Sequence, residues 1–219
     1  MSSTSWLETT KKSITSSTSW LEITKTIFLG VLLYSIANVL YAIIGPINSL
    51  ASFGSSIANA VGRGGGSIGG IAAFFNILTY LLLIGIVGGY VLFVLGLTNF
   101  SKILEAPDGK SVESVRNGAI VMLAGAIIKV LIWSLLGSIV YIVGFILMTL
   151  GYSNLKNSQT FPQEARNGAS KLFTAMLLSL AGAILGFIPL AGGFINAVLS
   201  IIAFFLILSG WATIKNTKA

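Results

Sequence analysis

The sequence contains no cysteine and no histidine among its 219 residues. The first absence excludes disulfides and thiolate chemistry, and the two together remove the commonest ligands of zinc and haem iron. Charged residues are also scarce, at 9%, whereas an ordinary soluble domain carries about 25%. Neither an acid/base pair nor a nucleophile with its base can be assembled in or near the apolar segments. We therefore predict no catalytic residues, no cofactor, no bound metal and no enzymatic activity.

Hydrophobic residues make up 55% of the chain, and the mean hydropathy is +0.93. Helices of about 20 apolar residues satisfy their own backbone hydrogen bonds and cross the roughly 30 Å hydrocarbon layer, so the bilayer is the natural solvent. We predict an all-α membrane protein with six transmembrane helices, arranged as three repeated helical hairpins. The transmembrane domain is expected over 26–217, with helices at 27–44, 71–101, 112–134, 137–157, 165–187 and 192–215.

Two of the predicted helix boundaries depend on turn signals. The stretch 118–151 is almost unbroken, but a single helix over it would be about 51 Å long at 1.5 Å per residue. This length exceeds one span, so we predict a tight turn near Ser134 to Ser138. The last two helices are divided by GFIPLAGG at 186–193, where one proline and three glycines act as helix breakers.

An internal repeat supports the hairpin arrangement. VRNGAIVMLAGAI at 115–127 is similar to ARNGASKLFTAML at 165–177. The sequences GLTNF, GYSNL and GWATI, which begin at residues 96, 151 and 210, each follow an aliphatic run and each precede a lysine. The predicted unit is a helical hairpin that opens with a basic-polar pair and closes with this glycine motif.

The charged residues fall mainly on one side of the predicted topology. If odd helices run outward, eleven of the thirteen basic residues and all six acidic residues lie on one side. Only Arg63 lies on the other side, and Lys129 lies near the end of the third helix. Because lysine and arginine in short loops set orientation, we predict that both termini are cytoplasmic.

The chain opens with a duplication, SSTSWLETTK at 2–11 and SSTSWLEITK at 16–25. Each copy contains Ser-Trp-Leu-Glu, the spacing of a capping box at a helix start. We predict that 1–25 forms an amphipathic capping segment, and that only the second copy has a role, as the cap and interfacial anchor of the first span. Trp20 and Trp211 are predicted interfacial anchors at the inner side and Trp133 at the outer side, as amphipathic rings prefer.

Few polar residues lie within the predicted spans. Asn38, Asn76 and Lys129 are the candidate intramembrane polar positions. Asparagine can hydrogen-bond across a helix interface, and a lysine near a helix end can extend its ammonium to the interface. Gly85 with Gly89, and Gly182 with Gly186, have the small-x-x-x-small spacing of packed membrane helices. Helix packing is the favoured interpretation of these positions, and a polar pore lining is the alternative.

The predicted outer loop is glycine-rich and spans 45–70. Gly64, Gly66 and Gly69 match G-x-G-x-x-G, but a phosphate cradle needs a preceding strand and a following amphipathic helix. An apolar span follows instead, so a flexible linker is the favoured interpretation. Before this linker, PINSLASFGSSIANAV has helical spacing of apolar residues, which is typical of a short amphipathic helix on the outer leaflet.

The RNGA openings at 116 and 166, LLLIGIVGGYVLFVLGL, IVYIVGFILMTLGYSNL and the IPLAGG turn resemble small multi-pass membrane proteins of archaea. Those proteins are grouped as families of unknown function, and the resemblance covers about residues 20 to 217. It implies an archaeal membrane protein but no activity and no functional residues. The N-terminal duplication and the glycine-rich loop are not part of the pattern.

Two functions remain open from the sequence. The first is a non-enzymatic structural or accessory protein of the cell membrane, whose partners are the lipid bilayer, other membrane proteins or a second copy of itself. The alternative is a passive channel or transporter for a small uncharged or hydrophobic solute, because repeat architectures are common in transporters. The basic residues flank apolar spans, so we predict no nucleic-acid partner.

Overall fold

A computed structural model of the chain describes residues 3–60, 66–185, 188 and 192–217. Within these ranges the chain is helical and has no strand. The helices are α1 (Ser3–Ala60), α2 (Gly66–Ile103), α3 (Asp108–Leu131), α4 (Ser134–Asn157), α5 (Gln163–Leu185) and α6 (Gly192–Asn216). Each contains a segment long and apolar enough to cross a membrane. The prediction of an all-α protein with six apolar spans is confirmed.

The chain divides into two compact units, which are described separately. The first comprises Met1–Phe28 and Phe93–Ala219, and the second comprises Leu29–Leu92. The first unit therefore holds the start of α1, the end of α2 and all of α3 to α6. The second unit is the remainder of the α1/α2 hairpin.

Helix α1 is longer than predicted, with 58 residues. It begins at Ser3, so Ser19 to Glu22 of the second copy lie within the helix, and the prediction that they cap it is wrong. Its candidate span is Ser19–Tyr41, but the helix continues to Ala60 through the segment predicted as a loop. The predicted amphipathic helix is the last part of α1, because apolar residues at helical spacing continue past Pro46 and membrane helices tolerate an internal proline. The predicted loop is also shortened from the other side, since α2 already begins at Gly66. Residues 61–65, with Arg63 and Gly64, lie outside the described residues.

The division between α3 and α4 is confirmed, but the turn lies earlier than predicted. The backbone N–H groups of Ile132 and Trp133 both donate to Ile128 O, at 2.9 and 3.0 Å, and α4 begins at Ser134. Gly137 was interpreted as part of a turn, whereas it is a helical residue packed against the backbone of Lys129. The glycine is needed for close helix packing. Most of GFIPLAGG lies outside the described residues.

Glycines at intervals of seven residues hold α3 and α4 together. A Cβ added at Gly118 would lie 2.5 Å from Met148 N and 2.6 Å from Gly144 O, and real Cβ atoms essentially never come within 3.0 Å. The same contact recurs one heptad away on both helices, where Gly125 faces Gly137. Gly151 faces Ser111 at the other end of the pair. Small residues allow such close backbone approach, which drives helix association where lipid supplies no hydrophobic force.

Helices α5 and α6 form a second antiparallel pair with its own small-residue contacts. Gly168 faces Gly210, and Gly182 faces Asn196 two heptads further along. In the sequence repeat, Gly168 corresponds to Gly118 and Gly210 corresponds to Gly151. Gly118 faces Gly144, which lies seven residues before Gly151, so the two helix pairs do not pack through equivalent residues. The repeat itself therefore stays a prediction, although adjacent helices pack as antiparallel pairs in both places.

The second unit is also an antiparallel helix pair. Gly89 lies against the backbone of Gly30 and Tyr34, and a Cβ at Gly85 would be 3.3 Å from Ala37 Cβ. The rings of Tyr34 and Tyr90 meet edge to face with centroids 5.6 Å apart. The predicted packing role of Gly85 and Gly89 is thus confirmed in α2, while Gly186 lies outside the described residues.

Large apolar side chains cover the outside of the helices. Ile84, Val143, Leu180 and Phe205 are among many that are exposed. Soluble monomers rarely expose apolar patches larger than a few hundred Å². Glycines and alanines face inward and large aliphatic residues face outward, which is the distribution expected of a bundle surrounded by lipid.

Candidate functional site

Buried aromatic side chains of the first unit form two groups of ring contacts, which we together call the aromatic cluster. Trp20 packs edge to face on Phe100, with ring centroids 4.9 Å apart, and lies 6.0 Å from Phe161. Trp211 contacts both Phe93 and Tyr152, at 5.9 and 6.3 Å. The cluster joins the start of α1, the end of α2, the α4–α5 connection and the end of α6. Aromatic pairs of this kind contribute about 0.5–1.5 kcal/mol each beyond the area they bury.

The tryptophans predicted as interfacial anchors have different surroundings. Trp20 and Trp211 are only 4% and 2% exposed, and Trp20 Nε1 donates to Ile214 O at 3.1 Å. A lipid anchor needs a ring that reaches the headgroups, whereas these two rings are packed inside the protein. Trp133 is 59% exposed at the α3–α4 turn, a position that suits the predicted anchor.

Basic residues follow buried residues at the ends of α2, α4 and α6. Lys102 follows Phe100 by two residues, Lys215 follows Ile214, and Lys156 follows the buried Leu155. The Lys215 ammonium lies 4.5 Å from the centroid of the Phe28 ring. We call the region around Lys102, Lys156 and Lys215 the charged end. The helix termini at this end are those predicted to lie on the cytoplasmic side.

A buried carboxylate lies at the charged end. Asp108 is 4% exposed in the first turn of α3, and its Oδ2 accepts a hydrogen bond from Thr160 Oγ1 at 2.9 Å. An acid in the first turn complements the helix dipole. The other oxygen, Oδ1, is buried without a hydrogen-bond partner among the described residues. Asp108 borders a cleft of about 370 Å³ together with Ser111, Asn154 and other polar residues.

A second cleft, of about 390 Å³, lies between the end of α4 and the start of α5. We call it the basic cleft, and it is lined by Lys156, Asn157, Gln163, Arg166, Asn167 and Ser170. None of these described lining residues is acidic. The Lys156 ammonium lies 4.0 Å from the centroid of the Phe173 ring, and the Arg166 Nε atom is buried without a hydrogen-bond partner in the described part of the chain.

Lys171 is a cation that the predicted topology places at the cytoplasmic side. It lies inside the candidate span Gln163–Leu185. Its ammonium donates to Ser209 Oγ at 2.9 Å and to Thr213 Oγ1 at 3.1 Å, both on α6. The signal that could have identified this pairing is the helical spacing of the two hydroxyls, which puts them on one face of α6.

The three predicted intramembrane polar positions do not share a site. Asn76 Oδ1 accepts a hydrogen bond from Asn48 Nδ2 at 3.0 Å, whereas Asn38 is exposed and hydrogen-bonded to the Tyr34 side chain. Because Ala37 faces Gly85, Asn38 and Asn76 are separated by roughly 12 Å along the hairpin at 1.5 Å per residue. Lys129 belongs to the other unit, where it is exposed in the last turn of α3.

Serine and threonine hydroxyls within the spans mostly bond to their own helix. Thr24, Thr79, Thr98 and Thr149 each donate to the carbonyl four residues earlier, at 2.7 to 2.9 Å. Such local bonds satisfy a hydroxyl without any second helix. An exception is Ser114, whose Oγ donates to Leu147 O of α4 at 3.0 Å, so this hydroxyl joins two helices.

Among the residues that the structure describes, no three of the carboxylate residues come together as a potential metal site. Comparison with protein-family models, with curated proteins and with solved structures finds no match to this chain. The resemblance to archaeal membrane proteins of unknown function therefore stays a prediction. The chain has the form of a multi-pass membrane protein, with its polar clefts at the charged end.

Proposed function

We propose that this chain is a non-enzymatic structural or accessory protein of the cell membrane that crosses the bilayer six times with both termini in the cytoplasm. The observation that carries the proposal is the glycine contact within each helix pair. Where Gly118 meets Gly144, backbone touches backbone and leaves no room for a polar lining. A tightly closed pair suits a packing role better than a conducting one.

The polar groups in the spans support the same function. The Asn48–Asn76 hydrogen bond joins α1 to α2, and the Lys171 ammonium joins α5 to α6. These polar side chains form hydrogen bonds between the two helices of a pair. The outward apolar faces are left to contact lipid, other membrane proteins or a second copy of the chain, while the charged end is available to soluble parts of partners.

Proteoliposomes test this proposal against a passive channel or transporter. The full chain is reconstituted, and glycerol permeability is followed by light scattering after an osmotic step. We expect the permeability of protein-free liposomes, unchanged by Asn76→Leu. A protein-dependent flux that Asn76→Leu reduces would contradict the accessory role and favour transport. Thr174→Val, which removes an exposed hydroxyl bonded only to its own helix, is the matched control.

A further inference from the structure

We propose that the basic cleft binds a phosphate group, as presented by an acidic phospholipid headgroup or by a free phosphate. Its cations are Lys156 from the end of α4 and Arg166 from the start of α5. The proposal depends on membrane insertion of α4 and α5, and it does not depend on the accessory role.

The chemistry of the lining matches an anion. Asn157, Gln163, Asn167 and Ser170 add amide and hydroxyl donors to the two cations. Arginine has a planar fork of donors that fits phosphate oxygens, and lysine acts as a point charge. Basic pockets between membrane helices at the cytoplasmic side are typical sites for acidic lipid headgroups. The cleft lies where the candidate spans Ser134–Asn157 and Gln163–Leu185 meet at the charged end, which is headgroup depth.

The position of Arg166 is not explained by helix stability. It lies in the first turn of α5, which begins at Gln163. The helix dipole makes the first turn favourable for anions and unfavourable for cations. Lys156, in contrast, lies in the last turn of α4, where a cation is favoured. Glu164 in the same turn complements the dipole, and an anion bound in the cleft would add to this compensation of Arg166.

The repeated Arg-Asn dipeptide supplies an internal comparison. Arg116 donates through Nε and a terminal nitrogen to Asn117 Oδ1, at 3.1 and 2.9 Å. The guanidinium of Arg116 is therefore paired with its own neighbour. In the second copy, the Nε of Arg166 is buried and has no partner among the described residues. Of these two arginines, only Arg166, which borders the basic cleft, has a buried Nε without a described partner.

The experiment uses the full chain purified in neutral detergent. Dioctanoyl phosphatidic acid is the probe, and dioctanoylglycerol, which has the same chains and no phosphate, is the control lipid. Bound lipid is counted by native mass spectrometry across a titration. We expect saturable binding of phosphatidic acid with little binding of dioctanoylglycerol. Lys156→Gln and Arg166→Gln should each weaken binding about 10- to 100-fold, the range of one charge-assisted hydrogen bond.

Arg116→Gln is the matched variant, and it should leave the dissociation constant unchanged. Arg166→Lys keeps the charge but loses the fork, so it should bind more tightly than Arg166→Gln and less tightly than the unmodified chain. Millimolar inorganic phosphate that displaces the lipid would show that the site recognises the phosphate group alone. Lipid that phosphate does not displace would assign the site to the headgroup. Equal weakening by Arg116→Gln, or no weakening by Arg166→Gln, would overturn the proposal.

Discussion

Replacing Gly118 by alanine should separate α3 from α4 and destabilise the pair. The added Cβ would lie 2.5 Å from Met148 N and 2.6 Å from Gly144 O. Both neighbours are backbone atoms, so neither can rotate away. The shorter distance must increase to at least 3.0 Å, which requires one helix to move against its packed surroundings. Overpacking of this kind typically costs about 1–3 kcal/mol.

Gly88 provides the matched control, because a Cβ added there meets nothing within 4 Å. Alanine is favoured over glycine in a helix by about 1 kcal/mol, and this gain applies to both substitutions. The difference between Gly118→Ala and Gly88→Ala therefore isolates the packing cost. We expect it to be about 1–3 kcal/mol, or roughly 2–12 °C in melting temperature at about 2–4 °C per kcal/mol.

The assay is unfolding of the purified chain in detergent, by titration with SDS and by heating at one scan rate. Gly88→Ala should be as stable as the unmodified chain or more stable, and Gly118→Ala less stable. A double variant with Gly144→Ala should lose less than the sum of the two single losses, because one separation relieves both contacts. Equal stability of Gly118→Ala and Gly88→Ala would refute the glycine contact as the basis of pairing.

Three further predictions concern the charged end and the N-terminus. Trp20→Phe keeps an aromatic ring near Phe100 but removes the indole hydrogen bond to the Ile214 carbonyl, which still accepts from Thr217 N, so we expect a loss of about 0.5–1.5 kcal/mol in SDS unfolding. The exposed Trp133→Phe should change the stability by less than about 0.5 kcal/mol. Asp108→Ala removes the acceptor of the Thr160 hydroxyl and should cost about 1–3 kcal/mol; the exposed Glu113→Ala is its control, and equal losses would contradict the assignment. Deleting residues 2 to 15 should leave membrane insertion and the melting temperature unchanged, because the buried Trp20 and the candidate span Ser19–Tyr41 are retained; failure to insert would show that the first copy is required.

The helices could be predicted from the sequence because the length of an apolar segment is a local property that the bilayer thickness sets. The packing glycines were only partly recognised. The spacing of Gly85 and Gly89 predicts helix packing, whereas the sequence around Gly137 predicts a tight turn. Glycine weakens a helix in water, but inside a bundle its missing side chain allows the backbone contact of α3 with α4.

Burial of the tryptophans could not be predicted in the same way. The sequence shows that Trp20 and Trp211 lie near helix ends, but not which side of the helix faces the protein. Their partners Phe100 and Tyr152 are far away in sequence. The basic cleft could not be predicted from the sequence for a related reason, because Arg116 and Arg166 belong to identical Arg-Asn dipeptides. The two arginines differ in their position on the helix. Arg116 lies eight residues after the start of α3 at Asp108, and Arg166 lies three residues after the start of α5 at Gln163.

The central claim, that these helices cross a membrane with the charged end inside, is tested most directly by labelling the two ends of α4. The chain has no native cysteine, so Ser134→Cys and Gln159→Cys, both at exposed positions, each introduce a unique thiol. Helix α4 has 24 residues, about 36 Å at 1.5 Å per residue, which is enough to span the hydrocarbon. A membrane-impermeant maleimide should label the Ser134 variant in intact cells, and the Gln159 variant only after permeabilisation. Labelling of both variants from the same side would contradict the account.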